Sequence, residues 1–346
     1  MDAFVQLPAT RRRLLCEEAQ TRLGLPPGSI EKDFWVCWTL RELFALPEWG
    51  THLTFKGGTS LSKAWGLIAR FSEDLDLVIG RDFLGFSGEH DPGAAPSKKQ
   101  RRARLEALKT ACQERIHTQL LPALRQRFAQ ALPGALRWEL AVASVEEDPD
   151  RQTLLFLYPT ALAGDAAYIR PVVKLEMGAR SDTEPAQRTP LHPYLADAFP
   201  AVLGPSTVWA HVLAPERTFW EKAMLLHEEN CRPPDKPRKA RLARHYYDLW
   251  CLIVQGVARR AVASPGLFAR VATHREIFFN WSWMDYATLR PGTLRLVPPA
   301  ALLAAWRQDY QSMRQEMFFG PVPDFTEILR VVGEFERQFN DRGLAG

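Results

Sequence analysis

The chain of 346 residues lacks several features that mark particular classes of protein. No run of about 18 uncharged apolar residues occurs, so no transmembrane helix is predicted, and no apolar segment follows the arginines at 11–13 to form a secretory signal. The five cysteines include no CxxC pair, which argues against a disulfide framework or a zinc ribbon and favours the reducing cytoplasm. P-loop, HExxH and GxSxG motifs are missing, so the enzyme classes that depend on them are not indicated.

The composition predicts a folded protein of two modules. Hydrophobic residues make up 46% of the chain and eleven residues are tryptophan, which is enough apolar surface for a sizeable core. The length exceeds that of one average domain of about 150 residues. Helices and strands are both predicted before residue 205, and mainly helices are predicted after it. This pattern predicts an α+β fold with domains over 1–205 and 206–346.

The net charge of +4 is small, but basic residues are concentrated in two stretches. The first contains Lys98, Lys99, Arg101, Arg102, Arg104 and Lys109, and the second contains Arg232, Lys236, Arg238, Lys239, Arg241 and Arg244. Such clusters are typical of proteins that contact phosphate-rich partners. For either stretch alone, a solvated helix face or an exposed loop explains the charge equally well.

The spacing of apolar residues predicts the secondary structure. Helices are predicted over 9–23, 31–46, 60–70, 98–130, 216–229, 240–255, 260–278, 298–316 and 323–340. Strands are predicted over 52–56, 73–79, 137–144, 152–158 and 168–177. The stretch 178–206 contains five prolines and is predicted to be a loop, while the basic helix over 98–130 is predicted to be an insertion in the first domain.

The turn at Lys56-Gly-Gly-Thr-Ser60 is the first candidate for chemistry. Gly57 and Gly58 permit backbone conformations closed to other residues, so N–H groups can point outward at the start of the next helix. Such a nest of N–H groups binds phosphate, and the hydroxyls of Thr59 and Ser60 would add donors. Two glycines before a helix are also common in plain turns, so this motif alone leaves both interpretations open.

Asp74 and Asp76 form the second candidate, because residues two apart on a strand project from the same face. Their Cα atoms would lie about 6.6–6.8 Å apart. Two neighbouring carboxylates repel unless a cation lies between them, and magnesium prefers oxygen ligands. A solvated strand face is the alternative. Aspartate is a poor strand former, however, and a conflict between local propensity and pattern indicates function.

Several segments together resemble one known family. They are Ile30-Glu-Lys-Asp33, Lys56-Gly-Gly-Thr-Ser60 with Arg70-Phe-Ser-Glu-Asp-Leu-Asp76, Glu216-Arg-Thr-Phe-Trp-Glu-Lys222, Arg244-His-Tyr-Tyr-Asp-Leu249, Asp309-Tyr310 and Met317-Phe-Phe-Gly320. They resemble motifs of the AbiEii/AbiGii toxins, MenT-like nucleotidyltransferases of the polymerase-beta superfamily found in toxin–antitoxin and phage-defence systems. The resemblance implies a polymerase-beta-like core whose active site the helical half completes.

The resemblance also implies roles for single residues. Asp74 and Asp76 would hold magnesium, Lys222 would contact the triphosphate of an NTP, and Asp248 would be a further acidic catalytic residue. One of the hydroxyls at positions 59 and 60 would meet the phosphates. In this superfamily a carboxylate on a later strand commonly supplies a third metal ligand or a base, which makes Glu176 a candidate.

Local sequence evidence leaves alternatives open for these residues. Lys222 could be an ordinary surface lysine beside an apolar stripe, and Asp248 could pair with Arg244 four residues earlier on the same helix. Glu176 shares a predicted strand face with Lys174, so it could simply form part of a wet sheet surface. Lys56 and Lys63 are further candidates for offsetting phosphate charge, together with the turn residues Gly57, Gly58, Thr59 and Ser60.

The expected function is a cytoplasmic toxin that transfers a nucleoside monophosphate from an NTP to RNA, with the tRNA 3′ end as the first-choice acceptor, and so blocks translation. Nucleotidylation or phosphorylation of a protein hydroxyl is an alternative enzyme reading. A third interpretation is a non-catalytic regulator that binds nucleotide or RNA. The resemblance implies a cognate antitoxin, and no membrane association is expected.

Overall fold

The computed structural model describes residues 1–70, 74–162, 170–318 and 322–344. The chain divides into two compact units. The first, here called the sheet unit, comprises Met1–Ala64 and Ser72–Val212. The second, here called the helical unit, comprises Trp65–Phe71 and Leu213–Gly346. The predicted α+β class is confirmed, because strands and helices are both present and the later part of the chain is mainly helical.

Seven strands of the described residues form one sheet. They are β1 (Leu53–Lys56), β2 (Asp74–Ile79), β3 (Glu139–Val142), β4 (Thr153–Leu157), β5 (Val172–Gly178), β6 (Ala186–Leu191) and β7 (Val208–Leu213). Their order across the sheet is β3-β4-β5-β2-β1-β7-β6. Strand β2 is therefore central, with β1 antiparallel on one side and β5 parallel on the other.

The described residues contain fourteen α-helices. They are α1 (Asp2–Val5), α2 (Ala9–Leu23), α3 (Pro27–Phe44), α4 (Gly57–Lys63), α5 (Lys98–Arg115), α6 (Leu121–Ala131), α7 (Tyr194–Ala198), α8 (Pro200–Leu203), α9 (Pro215–Cys231), α10 (Arg244–Val254), α11 (Val257–Val262), α12 (Pro265–Phe278), α13 (Ala300–Met317) and α14 (Phe325–Leu344). A π-helical turn over Ile116–Leu120 separates α5 from α6. No helix in the described part of the chain is both long and apolar enough to cross a membrane.

Strand β2 confirms the alternation read from the sequence. Leu75 and Leu77 are buried, whereas Asp74 and Asp76 are half-buried on the other face. The apolar face supplies the burial that offsets the low strand propensity of two aspartates. Residue 73, which the predicted strand included, lies outside the described residues.

Several predicted elements were wrong in extent or kind; for example, the single helix predicted over 260–278 is two helices, α11 and α12. The helix predicted over 60–70 begins at Gly57 and ends at Lys63, shortly before Gly66 takes a left-handed φ of +62°. The strand predicted from residue 168 begins at Val172, because Pro171 has no N–H to donate to a neighbouring strand, and residues 163–169 lie outside the described residues. The loop predicted over 178–206 contains β6, whose exposed polar residues and internal proline hide the strand pattern.

Helix α3 places a row of charged side chains inside the sheet unit. Glu31 Oε1 accepts a hydrogen bond from the backbone N–H of Ala161 at 2.6 Å. Asp33 forms an ion pair with Lys63 of α4 at 2.7 Å and accepts the backbone N–H of Tyr194 at 2.7 Å. Each buried carboxylate is therefore matched to a donor, as burial requires. These contacts hold α4, the loop at Ala161 and the start of α7 against α3.

An aromatic cluster forms much of the sheet-unit core. Trp35 and Trp38 of α3 pack on Phe156 of β4 with ring centroids 5.9 and 5.7 Å apart, and Phe128 of α6 lies 4.8 Å from Phe156. All four side chains are fully buried. Such rings contribute through buried area and edge-to-face contacts.

We predict that Trp35→Ala destabilises the sheet unit by about 3–5 kcal/mol, because it leaves a large cavity in a core that cannot collapse fully. Denaturant unfolding followed by far-UV circular dichroism measures the change. Trp209→Ala is the matched control, since Trp209 is 48% exposed and its loss opens no cavity. Equal destabilisation by the two variants would contradict this account of the core.

Candidate active site

The turn between β1 and α4 brings the main chain directly against a carboxylate. Gly57 begins α4 with a φ of +78°, a conformation that residues with a side chain rarely adopt. A Cβ atom built on Gly57 would lie 1.9 Å from Oδ2 of Asp76, far inside contact distance. Only glycine at residue 57 therefore allows Asp76 to take this position.

The register of the sheet gathers further charged residues around Asp76. Asp76 pairs with Lys56 on β1 and with Glu176 on β5, and Asp74 pairs with Lys174 on β5. Directly paired residues of neighbouring strands project from the same face of a sheet. Asp74, Asp76 and Glu176 are therefore three carboxylates on one face, with two lysines beside them.

Glu176 is engaged with its strand neighbour. Lys174 Nζ lies 2.5 Å from Glu176 Oε1, and both side chains are about one-third exposed, at 33% and 39%. Burial lowers the pKa of Lys174, but the hydrogen bond to Glu176 and the charges of Glu176 and Asp74 outweigh it and raise that pKa. The catalytic role of Glu176 stays a prediction, and the pair with Lys174 is the arrangement seen in this structure.

The two hydroxyls of the turn are bonded to the main chain. Thr59 Oγ1 donates to the carbonyl of Asp74 at 2.6 Å, and Ser60 Oγ donates to the carbonyl of Gly57 at 3.0 Å. Both side chains are buried. The first bond ties α4 to β2 beside the aspartates, and the second closes the first turn of the helix. Phosphate binding by Thr59, Ser60 and Gly58 stays a prediction.

The two lysines near the turn have different surroundings. Lys56 Nζ donates to Ser181 Oγ at 3.0 Å on the half-buried end of β1. Lys63 is buried, pairs with Asp33, and lies 3.5 Å from the centre of the Tyr194 ring. Burial lowers the pKa of Lys63, but the charges of Asp33, Cys37 and Tyr194 and the hydrogen bond to Asp33 together outweigh it and raise that pKa. In this structure Lys63 anchors α4 to α3, while its predicted phosphate role is untested.

The helical unit joins Lys222 of α9 with Asp248 of α10. Lys222 Nζ lies 2.8 Å from Asp248 Oδ2, and Asp248 is completely buried. Arg70 holds the same carboxylate with two bonds, Nε to Oδ1 at 2.6 Å and Nη2 to Oδ2 at 2.9 Å. Lys222 is thus a buried member of an ion-pair cluster, in contrast to the surface lysine that local sequence evidence allowed.

The charge states in this cluster follow from burial and from close neighbours. Burial raises the pKa of Asp248, but Arg70 and Lys222 outweigh it and hold the carboxyl ionised far below its usual range. Burial lowers the pKa of His245, and Lys222 and Arg244 lower it further, so the imidazole is neutral. Lys222 Nζ lies 3.4 Å from His245 Nδ1. Since an ammonium only donates, Nδ1 accepts and the ring proton resides on Nε2.

A sequence profile decides the family. The profile described as "Nucleotidyl transferase AbiEii toxin, Type IV TA system" matches residues 38–331, which is most of the chain. The chain belongs to the AbiEii family of nucleotidyl transferase toxins. It is therefore a nucleotidyltransferase of a type IV toxin–antitoxin system, and the family implies an NTP substrate and an antitoxin partner. The predicted family and enzyme class are confirmed.

Other comparisons add less. Among solved structures, the chain is similar to MenT4, nucleotidyltransferase toxin Rv2826c from Mycobacterium tuberculosis H37Rv. The two are 18% identical, the match covers 95% of this chain and 99% of that chain, and the TM-score is 0.34. No curated protein matches the sequence significantly.

The sheet face of this AbiEii-family toxin offers a fit for magnesium. Within the described residues, no group of three histidine, cysteine, aspartate or glutamate side chains is placed to hold a metal ion. Magnesium, however, is commonly held by one or two carboxylates together with water and substrate phosphates. Asp74 and Asp76 are half-buried on one face, and the absence of a side chain at Gly57 leaves room for the Asp76 carboxylate. This donor set fits the ion.

Arg70 and His245 are the functional candidates that sequence reasoning missed, although both lie inside the motifs quoted for the family. Arg70 precedes β2 in an irregular segment, so no periodicity indicates that it is buried. The pattern i, i+4 suggested Arg244 as the partner of Asp248, but the cation that grips both carboxylate oxygens is 178 residues away in sequence. Such a contact has no local signal.

A cavity of about 470 Å³ lies elsewhere in the helical unit, and its walls include Cys231, Trp283, Arg295, Glu336 and Asn340. Glu336 and Asn340 use their oxygens to accept backbone N–H groups of Val297, at 2.8 Å, and of Leu294, at 3.1 Å. Among the residues that line this cavity, none is a predicted site residue.

We predict that Gly57→Ala reduces both stability and nucleotidyl transfer, because the new methyl group overlaps Asp76 as well as straining the backbone. Gly85→Ala is the matched control, since Gly85 has a similar φ of +84° and nothing within 4 Å of the added Cβ. The control should cost only the backbone strain of about 1–2 kcal/mol and keep activity. Thermal unfolding and transfer assays compare them, and equal behaviour would refute the role of the Gly57–Asp76 contact.

Proposed function

We propose that this AbiEii-family toxin transfers a nucleoside monophosphate from an NTP to RNA, at the tRNA 3′ end, in a magnesium-dependent reaction that blocks translation in the cytoplasm. The observation that carries the proposal is the pair Asp74 and Asp76 on one sheet face, with Asp76 set against the Gly57 main chain. Defence against phage is the biological setting that we propose.

Asp74 and Asp76 would hold the magnesium, which when bound offsets phosphate charge and orients the reacting oxygens. Such transfer depends on positioning and on charge stabilisation more than on covalent chemistry. The sheet unit supports this by positioning, because the Thr59 hydroxyl donates to the Asp74 carbonyl and Gly57 leaves room for the Asp76 carboxylate. Lys56, paired with Asp76 across the strands, is placed to reduce the repulsion among the carboxylates.

Lys222 is our candidate for the contact with the triphosphate. Its ammonium is buried and held at 2.8 Å from Asp248, so few other positions are open to it. A fixed cation is more effective than a mobile one, because its orientation is set before the reaction. Asp248, ionised and bonded to two cations, serves this arrangement and is poorly suited to accept a proton.

Helix α5 supports RNA as the acceptor. Lys98 and Lys99 occupy its first turn and are exposed, although the helix dipole favours acidic residues there. Lys98 and Arg102 are four residues apart, so their exposed side chains lie on one face. A cationic face that opposes the local preference fits contact with a phosphate backbone.

The decisive experiment incubates the protein with each labelled NTP, magnesium and total RNA. Label should enter tRNA with one preferred NTP, and Asp76→Asn should reduce it by about 100-fold or more, because a metal ligand is lost. Asp150→Asn is the control, since Asp150 is an exposed carboxylate of the same unit. If no NTP labels RNA, the RNA proposal fails. Ribonuclease-resistant label on protein would instead favour nucleotidylation or phosphorylation of a protein hydroxyl.

The contact with RNA has its own test. Lys98→Glu/Arg102→Glu should weaken RNA labelling and make its loss with salt shallower, while leaving NTP affinity unchanged, because each phosphate contact that is removed lowers the dependence of RNA binding on ionic strength. Arg11→Glu/Arg13→Glu is matched in charge change and also lies on an exposed helix of the sheet unit. If both double variants label RNA as the wild type does, α5 is not the RNA contact.

A further inference from the structure

Arg70 has the geometry of a residue that fixes another in place. Its guanidinium grips Asp248 through two parallel bonds of 2.6 and 2.9 Å, and the two side chains are 3% and 0% exposed. A two-pronged arginine–carboxylate pair restricts rotation of the carboxylate more than a single bond does. The orientation of Asp248 is therefore set from one side by Arg70.

Asp248 transmits that orientation to Lys222. Its Oδ2 atom is bonded to Arg70 Nη2 and lies 2.8 Å from Lys222 Nζ, so the two cations share one oxygen. A lysine ammonium sits on a flexible four-carbon stem, so it depends on its binding partner for a defined position. Turning the carboxylate would move the oxygen that holds the ammonium.

We propose that Arg70 is a positioning residue for nucleotide binding, which acts through Asp248 to hold the Lys222 ammonium where it meets the triphosphate. The proposal rests on the proposed function in one respect, the contact between Lys222 and phosphate. The proposal adds that the planar guanidinium fork of Arg70, which forms the two parallel bonds, is required in addition to the positive charge of this residue. It also assigns Asp248 a positioning role in place of an acidic catalytic one.

The charges around Lys222 supply an independent readout. Among the described residues, Lys222 faces Asp248, His245 and Arg244 on α10 together with Arg70. Burial lowers the pKa of Lys222, Asp248 raises it, and Arg70 and Arg244 lower it again. Phosphate affinity should fall at alkaline pH as Lys222 loses its proton. Removing the positive charge at residue 70 should raise the pKa of Lys222, so the loss of phosphate affinity should occur at higher pH.

Binding of inorganic tripolyphosphate, measured by calorimetry across a pH series on the full chain, tests the proposal without requiring activity. Arg70→Met should weaken tripolyphosphate binding about 10-fold or more. It should also shift the loss of affinity at alkaline pH to higher pH. Arg70→Lys keeps the charge but loses the fork, so it should weaken binding without shifting the fall. In transfer assays both variants should raise KM for the NTP more than they lower kcat.

Arg275→Met is the matched control. Arg275 is also buried in the helical unit and also grips a carboxylate twice, with bonds of 2.6 and 2.5 Å to Glu228. It should lose comparable stability in thermal unfolding yet bind tripolyphosphate with the affinity and pH dependence of the wild type. If it behaves like Arg70→Met, the role of Arg70 is merely structural and the proposal is overturned.

Two further outcomes overturn the proposal. One is binding by Arg70→Lys that equals the wild type, which would make the fork irrelevant. The other is a wild type that binds no tripolyphosphate, which would leave Lys222 without an anion to meet. Failure of the proposed function looks different, because the wild type would then bind tripolyphosphate and show the Arg70 effects while transferring no label from any NTP.

Discussion

The carboxylate of Asp76 lies where a side chain at residue 57 would have to be, since a Cβ there would come within 1.9 Å of it. The close approach brings the start of α4 against β2. The bond from Thr59 to the Asp74 carbonyl strengthens the same junction. Both contacts bring α4 against the aspartate-bearing stretch of β2, and parallel pairing with β5 places Glu176 and Lys174 alongside.

The helical unit contains a cluster of charged side chains in its interior. Removing an ion pair from water costs more free energy than a single contact returns unless the geometry is very good. Asp248 meets that condition with two bonds from Arg70 and one close contact from Lys222. In proteins generally, replacing a buried ion pair by well-packed apolar residues of similar volume is often neutral or stabilising. The presence of such a cluster is therefore better explained by a need for fixed charge than by stability.

Sequence reasoning predicted the local features well and the distant ones poorly. The alternation of Leu75 and Leu77 with Asp74 and Asp76 identified β2, because strand periodicity is a property of neighbouring residues. The resemblance identified the family, which the profile match over residues 38–331 confirmed. The extent of α4, the strand β6 and the grip of Arg70 on Asp248 depend on packing with residues far away in the chain. No window of sequence contains that information.

The hydrogen bonds that helix α3 accepts from main-chain N–H groups affect how freely the sequence of this protein can change. Glu31 and Asp33 accept hydrogen bonds from the backbone N–H groups of Ala161, in a loop, and of Tyr194, at the start of α7. Every amino acid except proline supplies that group, so a carboxylate that binds it places little demand on the identity of the loop residue. Over evolutionary time the loops can exchange their side chains while the helix keeps its acids. The contacts therefore constrain the two acids of α3 more strongly than the side chains of the residues that they bind.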